Sequence, residues 1–171
     1  LKKVSIHGGA PVVLCASVGG SNSASWGPDG LIVFSPASGN RGLLQVPDSG
    51  GVPQPLASPG GPKGESSAFW PEVLPDGSAV LFTVQAQSSS SPPQLVAQSV
   101  TTGERRVLLQ GATNARYVSS GHLVYMSAGT LMAVPFDARR LQVTGTPIPV
   151  VEGILHSGSG AGLFSVSSAG S

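Results

Sequence analysis

Trp26-Gly-Pro-Asp-Gly-Leu-Ile-Val-Phe34 reads as the end of one strand, a tight turn and a second strand. Asp29 can accept hydrogen bonds from the backbone of its own turn, and Gly30 can take the positive φ that such a turn needs. The pattern returns. Its second copy is Val73-Leu-Pro-Asp-Gly77 followed by Ser-Ala-Val-Leu-Phe82, with one extra residue after the glycine. The third is Tyr117-Val-Ser-Ser-Gly121 followed by His-Leu-Val-Tyr125, and the fourth is Val166-Ser-Ser-Ala-Gly170.

With Gly30, Gly77, Gly121 and Gly170 as the register, the intervals are 47, 44 and 49 residues. Four positions before each glycine stand Trp26, Val73, Tyr117 and Val166, all able to fill a core. Two positions further back stand Ala24, Pro71, Ala115 and Phe164, so one face of each strand is small or apolar, as period-two alternation on a half-buried strand requires. Four strands of about five residues with connections of about four to six use roughly 36 to 44 residues. The observed period therefore fits one four-stranded propeller blade.

A second register supports the first. His7-Gly8-Gly9 is echoed by Asp48-Ser-Gly-Gly51, 42 residues later, so an outer hairpin repeats along with the inner one. On both registers the chain is an all-β, partial β-propeller of four-stranded antiparallel blades. Residues 1–15 form the end of a blade, 23–58, 66–110 and 114–152 form complete blades, and 161–171 begin another. Strands are expected near 23–26, 31–35, 42–46 and 52–56, then 68–73, 79–84, 94–100 and 105–110, then 115–118, 122–126, 130–135 and 147–151. Gly162 to Val166 is expected to be the inner strand of the next blade, and the polar tract Gln87 to Gln94 an exposed loop. No stretch keeps a helical period over 11 residues. The chain starts on Leu1 and its fourth hairpin is interrupted, so it reads as a piece of something longer that should expose apolar blade faces and unpaired strand edges.

Composition bounds the rest. The 171 residues include 24 glycines and 15 prolines, yet 40% are apolar and arranged in short regular runs, which favours many turns between strands over disorder. Only 10% are charged, and the formal net charge is +1 with basic residues dispersed except for Arg105-Arg106 and Arg139-Arg140. No electrostatic footprint for nucleic acid or anionic lipid follows from this. No run of 18 apolar residues is present, so no membrane insertion by this segment is expected. Cys15 has no partner for a disulfide and reads as an ordinary buried strand residue.

Pro-Asp-Gly after an aromatic or apolar strand, an apolar strand ending in Phe or Tyr, and then a Gly-Gly outer turn resemble the TolB-type, WD-repeat-like β-propellers over nearly the whole chain. Three later segments are Leu131-Met-Ala-Val-Pro-Phe-Asp137, Gly145-Thr-Pro-Ile-Pro-Val-Val-Glu-Gly153 and Phe164-Ser-Val-Ser167. They are similar to the propellers that follow the kinase domain in bacterial membrane-attached serine/threonine protein kinases. Ser119-Ser120 and Ser168-Ala169 replace Pro-Asp in the third and fourth copies, so those turns depart from the pattern while keeping the period. The resemblance implies a bacterial, extracytoplasmic binding domain with no catalytic residue of its own.

The residues themselves offer little chemistry. Gly60-Gly-Pro-Lys-Gly-Glu65 lacks the Gly-Lys-Ser/Thr ending of a phosphate loop and no helix follows it, so it reads as a connector. No Gly-x-Ser-x-Gly string is present, so no nucleophile elbow is expected. His7, His122 and His156 stand far apart with no neighbouring ligand residue, so neither a metal nor a cofactor is expected. Asp29 and Asp76 occupy equivalent turns and have a structural task. Glu72 interrupts an inner strand beside Trp70, where residues approach the central channel of a propeller, and Arg116 is its candidate partner. Glu72, Arg116 and Trp70 are thus the candidate channel contacts, against the plainer reading of a solvated strand-end pair. Trp26 is read as core, and Trp70, three residues earlier in its strand, as core or channel lining. Two functions remain: a non-catalytic sensor or scaffold that binds a protein, peptide or small ligand, or the propeller of a bacterial prolyl-oligopeptidase-like serine peptidase.

Overall fold

The computed structural model describes residues 1–16, 21–36, 42–57, 65–86, 91–156 and 162–167, and every regular element among them is a strand. β1 (Lys2–Lys3) and β2 (Val12–Val13) pair as a short antiparallel hairpin. β3 (Ser21–Trp26), β4 (Leu31–Pro36), β5 (Leu43–Pro47) and β6 (Gln54–Ala57) follow one another in a four-stranded antiparallel sheet. β7 (Glu65–Val73), β8 (Ala79–Ala86), β9 (Gln94–Ser99) and β10 (Arg105–Gln110) repeat that meander. In the third sheet β11 (Thr113–Val118), β12 (His122–Ser127) and β13 (Thr130–Asp137) are followed by two short strands. These are β14 (Gln142–Val143) and β15 (Ile148–Val151), and both pair with β13. Each of the three sheets is one blade, and the chain is an all-β partial propeller.

The turns that set the repeat are built as their residues require. Gly30, Gly77 and Gly121 all have positive φ, at 81°, 72° and 78°. Asp29 Oδ1 accepts the Leu31 N–H at 3.3 Å and Asp76 Oδ1 the Ser78 N–H at 3.0 Å, so the aspartates hold the same place in successive turns. The third turn keeps its glycine and dispenses with the aspartate.

Burial follows the period of two, and each face of a blade meets a different neighbour. In β4, Ile32 and Phe34 pack with Leu14, Cys15 and Val46 on the side of the first hairpin, while Val33 turns the other way. In β8, Val80, Phe82 and Val84 join Val33, Leu43 and Ala57 of the preceding blade, while Ala79 and Leu81 join Ala115, Leu123 and Tyr125 of the following one. Strands buried on both faces therefore read as unbroken apolar runs. The three cores lie between blades rather than within them, and the buried leucines and phenylalanines supply about 1.5–3 kcal/mol each to holding neighbours together.

Two expectations are corrected, and one blade gains a strand. Trp26 is not core: its side chain is 55% exposed. It pairs across with Ile32 and so faces the side of the first hairpin, which buries Ile32 and Phe34 but covers the indole only in part, with Lys3 Nζ 5.8 Å from the ring centre. Gly162 to Val166 is not a strand among the described residues, because no neighbouring strand pairs with it; Gly162 makes a single isolated bridge with His156. In the third blade the strand expected near 147–151 is β15, and the connection after Asp137 adds the short β14 along the end of β13 before it. The fourth-copy turn at 168–170, the connector over 58–64 and positions 87–90 of the polar tract lie outside the described residues.

Candidate functional site

The inner strands β3, β7 and β11 are edge strands of their sheets, and each follows the last like successive spokes. Counting back from the turn glycine, Ser23, Trp70 and Asn114 share one register position, and Ser25, Glu72 and Arg116 share another two residues on. Polar side chains at these alternate positions join one blade to the next. Ser23 Oγ accepts the Trp70 N–H at 3.0 Å, and Ser25 Oγ accepts the Val73 N–H at 2.9 Å. One blade later Glu72 takes the place of Ser25, and its carboxylate accepts the N–H of Tyr117, the counterpart of Val73. Trp70 has no oxygen to offer, so the Asn114 N–H turns instead to Thr83 Oγ1 at 3.1 Å.

Glu72 does more than its serine counterpart. Arg116 Nη1 lies 2.8 Å from Glu72 Oε2, with the two side chains 33% and 23% exposed respectively. The sequence pairing of these two residues is met in space. Burial pushes the Glu72 carboxyl above its ordinary value, and the Arg116 charge, the Arg116 hydrogen bond and the Tyr117 N–H only partly offset this. Desolvation outweighs an ion pair of good geometry, as is usual where a carboxylate leaves water for a site that cannot replace its full hydration.

Trp70 resolves to the core side of its two readings. It is buried, packs against Phe69 with ring centroids 5.5 Å apart, and sits at φ 51° inside a bulge between Phe69 and Glu72. Asn114, its register mate, also has a positive φ, 50°, inside the corresponding bulge of β11. A bulge puts two residues opposite one and re-aims the side chains that follow, which is how Glu72 and Arg116 come to face each other. Asn114 donates from Nδ2 to the Gly162 carbonyl at 3.1 Å, while its buried Oδ1 has no partner. The serines, Thr83 and Asn114 are not singled out by the sequence; the signal they offer is the alternation of serines at 21, 23 and 25 and the one threonine inside the apolar run of β8.

Among the described residues no group of three histidines, cysteines or acids stands close enough to hold a metal ion. No helix among them is long and apolar enough to cross a membrane.

No protein-family model matches the chain, and no curated protein matches it in sequence. Solved structures do. TolB from Acinetobacter baumannii is similar at 20% identity over 84% of this chain and 36% of its own, with a TM-score of 0.62. An auxiliary nutrient binding protein from Bacteroides thetaiotaomicron is similar at 11% identity over 86% of this chain and 36% of its own, with a TM-score of 0.62. A puromycin-hydrolyzing peptidase of Mycobacterium tuberculosis matches at 16% identity over 70% of this chain and 22% of its own, with a TM-score of 0.52. The chain thus spans about a third or less of the length of these proteins. Likenesses at this level of identity speak to architecture, and they agree with the blades described above: the chain has the fold of a TolB-like β-propeller, of which it forms a part.

Proposed function

We propose that the chain is a non-catalytic propeller segment that binds a ligand or protein, and that it serves as the sensor or scaffold domain of a larger bacterial protein. A membrane-attached serine/threonine kinase with an extracytoplasmic propeller is the parent its later segments suggest. The observation that carries the reading is the Glu72–Arg116 pair. Ser25 makes the same link between blades with a hydroxyl, so joining blades does not require charge. Glu72 and Arg116 hold opposite charges at a partly desolvated position on the strands that line a propeller's axis, where a charge costs more than a hydroxyl and offers a ligand a charged contact.

The test is a ligand screen with the wild type and Glu72→Gln, read by thermal shift and calorimetry. The substitution should leave Tm nearly unchanged and weaken binding of any ligand found by roughly tenfold, the loss of one charge-assisted hydrogen bond. Equal affinity of both proteins would remove the pair from the site.

A second reading is kept because one structural neighbour is a peptidase. In it the segment belongs to the disc that restricts access to a serine hydrolase domain. Sequence flanking the 171 residues separates the two: His-Arg-Asp and Asp-Phe-Gly motifs upstream support the kinase, and Gly-x-Ser-x-Gly downstream the peptidase.

A further inference from the structure

The two adjacent arginine pairs of the sequence, Arg105-Arg106 and Arg139-Arg140, lie 34 residues apart, and the fold brings members of both together. In β10 the first pair splits across the faces of the strand, as alternation requires. Arg105 Nε donates to Gln98 Oε1 at 2.6 Å, and its guanidinium lies 5.6 Å from the centre of the Phe82 ring. Arg106 takes the other face. Its Nε and Nη2 donate to Glu104 Oε1 at 3.2 and 3.1 Å, and its Nη1 reaches across to the third blade and donates to the Arg140 carbonyl at 3.1 Å.

The facing wall is the connection after Asp137, which is longer than its counterparts in the first two blades and carries the extra strand β14. Those counterparts, 48–53 and 100–104, contain no basic residue, so blades join at this place without arginine. Asp137 Oδ1 accepts the N–H groups of Arg139 and Arg140, both at 3.0 Å. Leu141, at φ 50°, packs on the core between the second and third blades, so the backbone under the two arginines is fixed from both sides. Between the walls lies a cleft of about 410 Å³, lined by Arg106, Arg139, Arg140, Glu104, Thr102 and Gln142 among others. Three guanidinium groups meet one carboxylate there. Arg140 has on its own turn only Asp137 Oδ2 at 3.8 Å, beyond hydrogen-bond length, and its side chain is 79% exposed. Asp76 also senses the cluster, and Arg139 is the smallest of the influences on it.

We propose that this cleft binds an acidic peptide segment, with carboxylates of neighbouring residues held by Arg139 and Arg140 and a backbone N–H donated to Glu104. A guanidinium presents a planar fork of donors that matches a carboxylate, and Glu104 on Arg106 is one such contact already made within the cleft. The volume exceeds what a single carboxylate or phosphate fills. A lining that sets cations beside an acceptor, a hydroxyl and an amide suits a chain that carries both carboxylates and N–H donors. Because the walls are fixed before anything binds, little ordering opposes association.

The probe is acetyl-tetraglutamate amide, titrated by calorimetry into the 171-residue protein at low ionic strength, where exposed charges are least screened. The expected result is saturable binding at one site, weakened at least tenfold in Arg139→Gln/Arg140→Gln with wild-type circular dichroism. Arg140→Gln alone, at the more exposed position, should give a smaller loss in the same direction and serves if the double variant misfolds. Lys2→Gln/Lys3→Gln removes the same charge from the first hairpin and should leave the affinity within twofold of wild type. No binding at the highest peptide concentration overturns the proposal. An equal loss from the lysine pair overturns it too, since that is the mark of attraction to net charge alone. Citrate or inorganic phosphate displacing the peptide at equal concentration gives the cleft to a small anion and likewise overturns it.

Discussion

Gly77 shows how one residue sets the blade period. A Cβ built there meets nothing nearer than 3.5 Å, so the constraint is its φ of 72° and not crowding. Gly77→Val should cost about 1–3 kcal/mol of unfolding free energy in a denaturant titration, because a β-branched residue resists that conformation. A loss below half a kcal/mol would detach the turn from the repeat. Asp76 in the same turn gives a pH test. The Ser78 hydroxyl at 2.7 Å and the Ser78 N–H hold its carboxyl below the ordinary value, with Arg139 adding a smaller push. A lowered folded-state value means stability that is present above the usual carboxylate range and is lost as pH falls through the folded-state value. Wild type should therefore melt above Asp76→Asn at neutral pH, and the two curves should converge in strong acid. Glu72 has the opposite sign. Its raised carboxyl gives stability below the usual carboxylate range that is lost as pH rises through the folded-state value, so Glu72→Gln should lose nothing at neutral pH and gain slightly on wild type as pH rises.

At the scale of the strand, the joint between blades is a hydroxyl and an amide. Ser25→Ala leaves the half-buried Val73 N–H without its acceptor and should cost about 1–3 kcal/mol, whereas Ser25→Thr keeps the oxygen and should cost less. Denaturation midpoints of the two variants check this; equal losses would mean that packing and not the hydrogen bond matters. The strands themselves were legible because Asp-Gly and Gly-Gly punctuation and period-two alternation are local signals. The inner pair Glu72–Arg116 was legible too, since both residues sit at one register position of successive repeats. Trp26 was misread for a reason that is not local: its environment depends on what the preceding blade supplies, and an exposed indole has the same neighbours in sequence as a buried one. The bulges at Trp70 and Asn114 were hidden because neither carries glycine, the usual sign of positive φ.

Over the whole molecule, stability is a sum of blades and of the faces between them. The second blade, β7 to β10, has apolar neighbours on both faces, whereas the first hairpin contributes only Leu14, Cys15 and the flanking Leu1 to a core. Amide hydrogen exchange should accordingly be slowest in β8 and β9, intermediate in β4 and β12, and fastest in β1 and β2. Uniform exchange across all strands would indicate a single cooperative unit. The amide links between blades have a direction as well: where Ser23, Ser25, Thr83 and Glu72 accept, the donor N–H belongs to the blade that comes later in the chain. A ribosome delivers residues in that same order. Each blade therefore offers its acceptors before the amides that satisfy them have been made, so a growing chain finds each of these partners on the blade already behind it.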